Sequence, residues 1–375
     1  MMERRRIVAM WRQAQAGVLV TLVRVEGSSY RRPGARLLIG EGVYAGSISG
    51  GCLEGEVIRK ARWKVQDGAR MQTYSTMFDD TAEMPFGLGC GGVVDLLFEP
   101  VATPEGTALL EAMERSLHGA AGTVLTWLPA AGRALRRAVL DAHGHVVFAS
   151  GTLGEQELSA ARALLPGCQQ LPGGHDTSEV YCEVLVPPQR LVVLGAGDDA
   201  KPLVTMAAQL GWSVVVADGR VQLLRQERFP EAESLVATES AAKLDLSPLD
   251  AVVLMTHSYE QDRSYLAELM LAAPRYLGVL GARHRSSLLV SEVAATTGLS
   301  LAECCARIYA PVGLDLGGDG PEAIALAVLA EAQACVQGKL GASRRLSAED
   351  VLEQAAKGDS SVYLRAQCSA TGALS

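Results

Sequence analysis

Short apolar runs alternate with amphipathic stretches throughout the second half of the chain. Runs such as Leu191–Leu194 and Ala251–Thr256 contain almost no polar residues, which is typical of strands buried on both faces. The stretches between them repeat apolar residues every three to four positions, as helices with one buried face do. Strands alternating with helices predict a mostly parallel, doubly wound sheet of the Rossmann type. The predicted strands are Leu191–Leu194, Ser213–Asp218, Leu235–Ala237, Ala251–Thr256, Tyr276–Leu280 and Arg307–Ala310, and the predicted helices are Lys201–Leu210, Asp262–Ala272, Arg285–Thr297 and Pro321–Val336.

The first half of the chain has a mixed α/β pattern interrupted by glycine-rich loops. A helix is predicted directly after the loop Gly46–Glu56, because apolar residues recur there at helical spacing. Pro187-Pro188 closes this half, so we predict an N-terminal α/β domain over 1–186, in which 101–186 carries the weaker pattern. A Rossmann-like domain over 187–337 and an appended tail over 338–375 follow. The other predicted elements are strands Ala16–Val25, Ala35–Ile39 and Val93–Phe98, a helix near Glu155–Leu165 and a tail helix at Ala348–Ala356.

Charge and composition exclude several classes of protein. The formal net charge of −8 argues against a nucleic-acid-binding protein, because neutralising phosphates requires a basic face. No apolar run approaches the roughly 20 residues of a membrane span, and no apolar segment follows the basic start as in a secretory signal. The eight cysteines include no Cys-x-x-Cys pair, so neither a disulfide framework nor a structural zinc site is expected. We therefore predict a cytoplasmic protein.

The turn Gly195-Ala196-Gly197-Asp198-Asp199-Ala200 has the G-x-G-x-x-A spacing of a dinucleotide-binding loop. Gly195 permits the tight turn, Gly197 lets a pyrophosphate approach the backbone, and Ala200 lets helix and strand pack closely. The helix that follows would direct its free N–H groups at the phosphate, and Asp218 would meet ribose hydroxyls. The alternative is a tight turn without a ligand. Asp198 and Asp199 place negative charge at an anion site, so they would instead cap the helix, or hold a metal against the phosphates.

Loops after the later strands should reach the same ligand, because open parallel sheets bind at the carboxyl ends of their strands. His257 is a candidate proton donor or cofactor contact, with a helix-capping hydrogen bond as an equal alternative. Arg283 suits an anion, unless it is an ordinary surface arginine. Asp315 would either face the ligand or cap the following helix.

Two cysteines lie in glycine-rich loops. Cys52 follows Gly50-Gly51 where a helix begins, and a helix N-terminus stabilises a thiolate. Ser47 and Ser49 add hydroxyl donors to this loop, whereas nearby glutamates would favour the protonated thiol. Cys90 lies in the second cluster, Gly87–Gly92, where backbone can approach a large ligand. The pair is compatible with a soft metal or a sulfur atom, and the alternative is that both are small residues in tight turns.

With these motifs the sequence resembles the XdhC/CoxI family, the maturation factors of xanthine and carbon monoxide dehydrogenases. The resemblance covers roughly residues 8–100 and 188–337, and the strings G-S-I-S-G-G-C-L-E and A-P-V-G-L-D are specific to it. The matching segments are Val23–Gly34, Ala45–Gly55, Gly87–Gly92, the turn at Gly195–Ala200, Thr256–Ser258 with Asp262, Gly278–Arg283, and Ala310–Asp315 with Pro321-Glu322.

The resemblance implies an accessory protein rather than a catalyst. Family members hold the molybdenum cofactor, a molybdopterin with or without a nucleotide, help it acquire its terminal sulfur and pass it to a molybdenum hydroxylase of the xanthine or carbon monoxide dehydrogenase type. A cysteine desulfurase is the implied second partner. Cys52 then becomes the candidate contact to molybdenum or its sulfur, and Gly195, Gly197 and Ala200 correspond to the nucleotide-type turn. The chain departs from the family at Asp198, where many members have histidine, and at Ser29-Tyr30, where serine-proline is common.

Two other functions remain open at the sequence level. An NAD(P)-dependent oxidoreductase would use the glycine turn and Asp218, but the chain has no Tyr-x-x-x-Lys pair for hydride transfer, and His257 has no evident partner. A scaffold protein with an empty turn is the third hypothesis. A homodimer is the expected assembly on general grounds.

Overall fold

The computed structural model describes residues 1–51, 53–75, 92–130, 132–171 and 179–341. Within these ranges the chain forms two compact units, one made of residues 3–187 and the other of residues 188–341 with residues 1–2. Cys52, Cys90 and the predicted tail helix Ala348–Ala356 lie outside the described residues.

The N-terminal unit contains two antiparallel sheets, and the first is built around the longest strand. This sheet has the order β3-β2-β1-β5-β4, and helices α1 and α2 accompany it. Helix α2 begins at the end of the glycine loop, which confirms that prediction. The elements are α1 (Met2–Ala14), β1 (Val18–Gly27), β2 (Arg36–Ile39), β3 (Tyr44–Gly46), α2 (Glu54–Lys64), β4 (Arg70–Ser75) and β5 (Gly92–Pro100).

The middle segment forms the second sheet, with the order β8-β7-β6-β10-β9. Its apolar face and helix α3 share a core with α1 and the first sheet, in which Trp11, Leu109 and Val139 are buried. The segment is therefore an integral part of the N-terminal unit. Its elements are α3 (Pro104–Leu117), β6 (Gly122–Trp127), β7 (Arg136–Asp141), β8 (Val146–Ala149), α4 (Glu155–Ala161), β9 (Gly167–Gln170) and β10 (Glu179–Leu185).

Buried ion pairs join these two sheets. Arg137 on β7 binds Glu99 on β5 with an Nη1–Oε2 distance of 2.7 Å, and their side chains are only 1% and 2% exposed. Arg36 on β2 contacts Glu183 on β10 at 2.8 Å. Burying charges is costly unless they are paired and hydrogen-bonded, so these pairs fix how one sheet faces the other.

The second unit is a five-stranded parallel sheet with the order β13-β12-β11-β14-β15, which confirms the predicted Rossmann-like fold. Alternate residues of the central strand enter opposite cores, Leu191 and Val193 on one face and Val192 and Leu194 on the other. The elements are β11 (Arg190–Leu194), α5 (Ala200–Gln209), β12 (Ser213–Asp218), β13 (Ser234–Ala237), β14 (Ala251–Leu254), α6 (Tyr259–Ala272), β15 (Tyr276–Val279), α7 (Arg283–Thr297), α8 (Leu301–Arg307) and α9 (Pro321–Val336).

The predicted strand at Arg307–Ala310 is wrong. The chain forms helix α8 up to Arg307, and only Tyr309 pairs with the sheet, through a single parallel bridge to Gly278. Helix α8 begins at Leu301 because Ser300 and Glu303 form a reciprocal capping box. The strand cannot continue because Pro311 has no N–H to donate.

Within the described ranges, no single helix is long and apolar enough to cross a membrane. Helices α7 and α8 meet that test only when taken together, and they are bent by 118° at the break between them.

The buried pair between β5 and β7 generates a stability prediction. We expect Glu99→Gln to lower the free energy of unfolding of the N-terminal unit by about 3–5 kcal/mol, because it leaves the Arg137 charge buried and uncompensated. Urea denaturation followed by circular dichroism measures the loss.

The matched control is Glu41→Gln, which removes the partner of Arg62 from a pair whose side chains are 90% and 62% exposed. This change should lower the free energy of unfolding by less than about 1 kcal/mol. The double variant Glu99→Leu/Arg137→Met should be more stable than Glu99→Gln, because it removes both charges. Equal losses for Glu99→Gln and Glu41→Gln would contradict the assignment.

Candidate functional site

The glycine turn is placed directly after the central strand of the parallel sheet. Gly195 has a φ of +126°, and a Cβ atom there would lie 2.3 Å from the carbonyl oxygen of Met255. Its N–H donates to the carbonyl of Ala217 at 2.8 Å. Only glycine satisfies both the backbone angle and the close approach, so the turn is held tightly against two neighbouring strands.

Asp218 at the end of β12 is buried and engaged by the protein itself. Its carboxylate accepts hydrogen bonds from the N–H of Ala196 at 2.7 Å and from the backbone and guanidinium of Arg220 at 2.8–3.0 Å. Burial alone would raise the pKa of this carboxyl, but the hydrogen bonds from Arg220 and Ala196 outweigh burial, and the pKa lies below its ordinary value. Asp218 therefore ties the glycine turn to β12, and its contact with a ribose stays a prediction.

Both acidic residues of the turn are paired with basic side chains, and no hydrogen bond from either carboxylate caps the helix. Asp198 is 79% exposed and contacts Lys201 at 2.7 Å and Arg228 at 3.1 Å. The hydrogen bond and charge of Lys201, with the charge of Arg228, lower the pKa of Asp198. Asp199 occupies the N-cap position of α5 but forms no capping hydrogen bond, because its carboxylate binds His257. The capping hypothesis for Asp199 is therefore wrong.

His257 does have a partner, although that partner is far away in sequence. Its Nε2 atom lies 2.7 Å from Oδ2 of Asp199, and its backbone has a φ of +62°, unusual for a residue with a side chain. Ser258, not His257, caps α6, since its hydroxyl accepts from the N–H of Gln261. The hypothesis that His257 caps the helix is therefore wrong, and the structure brings a histidine and a carboxylate together at the sheet edge.

A cavity of about 270 Å³ opens at the carboxyl ends of β14 and β15. Arg285 faces it, while Arg283, the predicted anion contact, is exposed at the start of α7 and does not line it. The guanidinium of Arg285 is oriented by Asp262, a fully buried carboxylate 2.6 Å from its Nη2 atom. Asp315 is exposed, and α9 has Gly320 at its N-cap, so the capping alternative for Asp315 is also wrong. The lining residues are Met255, His257, Leu280, Gly281, Arg285, Pro311 and Val312.

In the N-terminal unit, the serine-glycine loop folds around the carboxylate of Glu54, the first residue of α2. Oε1 accepts hydrogen bonds from the Ser47 hydroxyl at 2.8 Å and from the N–H of Ser49 at 2.9 Å. Oε2 accepts from the Ser49 hydroxyl and from the N–H of Gly51 at 2.9 Å. The N–H groups of Ile48 and Gly50 also donate to Oε1, at 3.0 and 3.4 Å.

This ring of donors changes the predicted role of the loop. Burial would raise the pKa of Glu54, but hydrogen bonds from Ser49 and Ser47 lower it to about 2. The donors predicted to serve a cofactor, those of Ser47, Ser49, Gly50 and Gly51, are thus occupied by the protein's own carboxylate. Their direct contact with a cofactor stays a prediction, and their observed task is to fix the loop next to residue 52. Sequence reasoning noted Glu54 only as a source of unfavourable charge.

Among the described residues, no group of three or more histidine, cysteine, aspartate or glutamate side chains could hold a metal ion. Cys52, the predicted contact to molybdenum or its sulfur, and Cys90 lie outside those residues. The described cysteines are all free: Cys168, Cys182, Cys304, Cys305 and Cys335.

Part of each unit matches a known protein family. The XdhC Rossmann domain family matches residues 191–332, and the XdhC and CoxI family matches residues 10–75. The chain belongs to the XdhC/CoxI family. The two matches contain the glycine turn, the cavity and the loop around Glu54.

Family relatives and a solved structure cover most of the chain. A Bacillus subtilis protein, named as a probable xanthine dehydrogenase subunit, is 29% identical over 86% of this chain and 94% of its own. The molybdenum cofactor insertion chaperone PaoD of Escherichia coli is 26% identical over 84% of this chain and 82% of its own. A crystal structure described as a xanthine dehydrogenase of Bacillus halodurans superposes with a TM-score of 0.76 at 26% identity, over 94% of this chain and 100% of the other.

The depressed pKa of Glu54 predicts how the N-terminal unit responds to acid. Its pKa is about 2 in the folded protein and near 4.5 when unfolded, so its stabilisation is present above pH 4.5 and is lost as pH falls towards 2. We expect Glu54→Gln to lower the free energy of unfolding at pH 7 by about 2–3 kcal/mol, and the difference from wild type to shrink below pH 4.5. Urea denaturation across pH 3–7 measures both.

Glu41→Gln, at a 90% exposed carboxylate in the same unit, is the control and should follow the wild-type curve. A Glu54→Gln protein that keeps the wild-type stability at pH 7 would show that the ring of donors does not depend on the carboxylate charge.

Proposed function

We propose that this protein is a cytoplasmic accessory factor that binds the molybdenum cofactor, supports its sulfuration and delivers it to a molybdenum hydroxylase of the xanthine or carbon monoxide dehydrogenase type. The proposal rests on family membership and on one geometric observation, the placement of Lys201 and Arg228 beside the glycine turn. The relative PaoD is a molybdenum cofactor insertion chaperone, which supports a role in maturation. A cysteine desulfurase as sulfur source and a homodimeric assembly belong to the same proposal.

The glycine turn before α5 fits the phosphate end of such a cofactor. No side chain caps this helix, and its first N–H groups are already used, because those of Ala200 and Lys201 donate to the carbonyls of Gly197 and Asp198 at 3.3 Å and Pro202 has no N–H. A phosphate would instead meet the backbone of the turn itself. Lys201 and Arg228 stand beside the turn, and Arg228 also donates to the carbonyl of Ala196 at 3.2 Å. These residues would hold a phosphate by charge and hydrogen bonds.

The sulfur-handling part of the proposal depends on Cys52. The described part of the loop before it is fixed by Glu54, whose carboxylate accepts hydrogen bonds from the N–H groups of Ser49 and Gly51. When bound, the cofactor supplies the molybdenum and its exchangeable sulfur ligand. The protein's own part is to hold the phosphate at α5 and to present the thiol.

An NAD(P)-dependent oxidoreductase is the second candidate, and the pairing of His257 with Asp199 favours it. A histidine held by a carboxylate at 2.7 Å is a common proton-transfer arrangement, and this one lies on the cavity wall. Mass spectrometry of the small molecules that co-purify with the protein from cells supplied with molybdate separates the two. Molybdopterin supports the maturation factor, whereas NAD or NADP together with substrate turnover supports the oxidoreductase.

Arg228→Ala tests the phosphate end. We expect about tenfold weaker retention of molybdopterin, because a charge-assisted contact to phosphate is lost. Lys201→Ala should weaken retention similarly and provides a second variant, in case Arg228 also supports the fold. The measurement is the cofactor bound per protein after gel filtration. Arg225→Ala, at a neighbouring exposed arginine, is the control and should retain cofactor as wild type does.

Cys52→Ala tests the sulfur end. The variant should still bind cofactor through α5, but the client hydroxylase that it loads should contain less sulfurated cofactor. Cyanide-released thiocyanate measures that sulfur, and Cys305→Ala, at an exposed cysteine far from the loop in sequence, is the control. A fully sulfurated client in cells that lack this protein would refute the proposed function.

A further inference from the structure

Helix α7 begins without a side-chain cap and with positive charge in its first turn. Its N-cap residue is Ala282, whose methyl group cannot accept a hydrogen bond, so the first N–H groups of the helix have no side-chain acceptor. The first turn contains Arg283, His284 and Arg285 and no acidic residue. The helix dipole and the Arg283 side chain therefore act in the same direction, towards binding an anion, and Arg285 is held beside them by its pair with Asp262 at 2.6 Å.

A buried hydroxyl next to this turn has no hydrogen-bond partner. Ser286 is 3% exposed, and its Oγ atom has no partner among the described residues. It lies 3.8 Å from the position that a Cβ on Gly281 would occupy, and Gly281 lines the cavity. Leaving a buried hydroxyl unsatisfied is costly, so such a group points to a missing partner.

The cavity beside α7 is lined by both polar and apolar side chains. A Cβ on Gly281 would lie 3.3 Å from Nη1 of Arg285, so the absence of a side chain there keeps the space before the guanidinium open. His257 provides the second polar group. Apolar side chains form the rest of the lining: Met255, Leu280, Pro311 and Val312.

We propose that the start of α7, with Ser286 and Arg285, binds a phosphate group of a ligand whose ring fills the cavity. The volume of about 270 Å³ lies below the roughly 300–1,000 Å³ of pockets for drug-sized ligands, so it holds one ring and its phosphate rather than a dinucleotide. The start of α7 is a different helix start from that at the glycine turn, because β14 lies between β11 and β15 and the ends of those two strands are about 10 Å apart. His257 of the cavity contacts Asp199 of the turn and lies between the two. The inference deepens the proposed function and rests on it only for the identity of the ligand.

Inorganic phosphate is the probe, and amide NMR of the ¹⁵N-labelled full-length protein is the measurement. Phosphate is titrated against sodium chloride at constant ionic strength. We expect saturable shifts of the amides of Ala282–Ser286, which chloride does not produce. Shifts confined to Ala196–Ala200 would overturn this inference and leave the proposed function standing. Shifts in neither segment would count against both.

Substitutions at Ala282 separate anion binding from helix stability. Its extended backbone, with φ −62° and ψ 149°, suits a capping side chain, so both Ala282→Asp and Ala282→Asn should raise the melting temperature. Ala282→Asp should nevertheless weaken phosphate binding at α7 about tenfold, because its carboxylate occupies the site. Ala282→Asn, the neutral control, should weaken it clearly less.

Ser286→Ala gives an independent check on the hydroxyl. It should weaken phosphate binding at α7 several-fold without lowering the melting temperature, because the removed group has no partner in the protein. Wild-type phosphate affinity in either Ala282→Asp or Ser286→Ala would overturn the proposal.

Discussion

Buried carboxylates organise the loops on which any function of this protein depends. Glu54 gathers the N–H and hydroxyl groups of the serine-glycine loop, and Asp218 holds the glycine turn through Ala196. Asp262 joins Thr256 at the end of β14 to Arg285 on α7. A carboxylate accepts several hydrogen bonds at once, so one acidic side chain can satisfy loop donors that no strand or helix satisfies.

This arrangement separates donors used for structure from donors left for a ligand. The serine-glycine loop has the composition of an anion site, yet its donors already surround Glu54. The starts of α5 and α7 differ from this loop, because no side chain caps either helix and basic residues lie beside both. The two proposed phosphate sites of the Rossmann-like unit therefore lie at these helix starts, on the edge of the sheet where the strands end.

Sequence periodicity predicted the parallel sheet of the Rossmann-like unit, but neither the second antiparallel sheet of the N-terminal unit nor the partners within the site. The strands of the parallel sheet follow from apolar runs, and the glycine turn follows from local backbone constraints that Gly195 displays in full. The pairing of His257 with Asp199 could not be predicted, because it joins loops that follow different strands. Arg285 lines the cavity and Arg283 does not, because residues two apart on a helix point in different directions, and the contact of Arg283 with an anion stays a prediction. The buried partner Asp262, which is acidic on an otherwise apolar helix face, was the available signal.

The acidic residues at the glycine turn are compatible with phosphate binding once their partners are counted. Asp198 is shared by Lys201 and Arg228, so the group as a whole is positive. Asp198 is 79% exposed, so water can solvate its carboxylate when Arg228 donates to a phosphate instead. Exchanging one acceptor of Arg228 for another therefore costs little free energy. The carboxylate of Asp199 contacts His257 and makes no capping hydrogen bond to α5. If a phosphate binds at the turn as proposed, His257 would favour it by pairing with a negative charge of the turn, without having to contact the ligand.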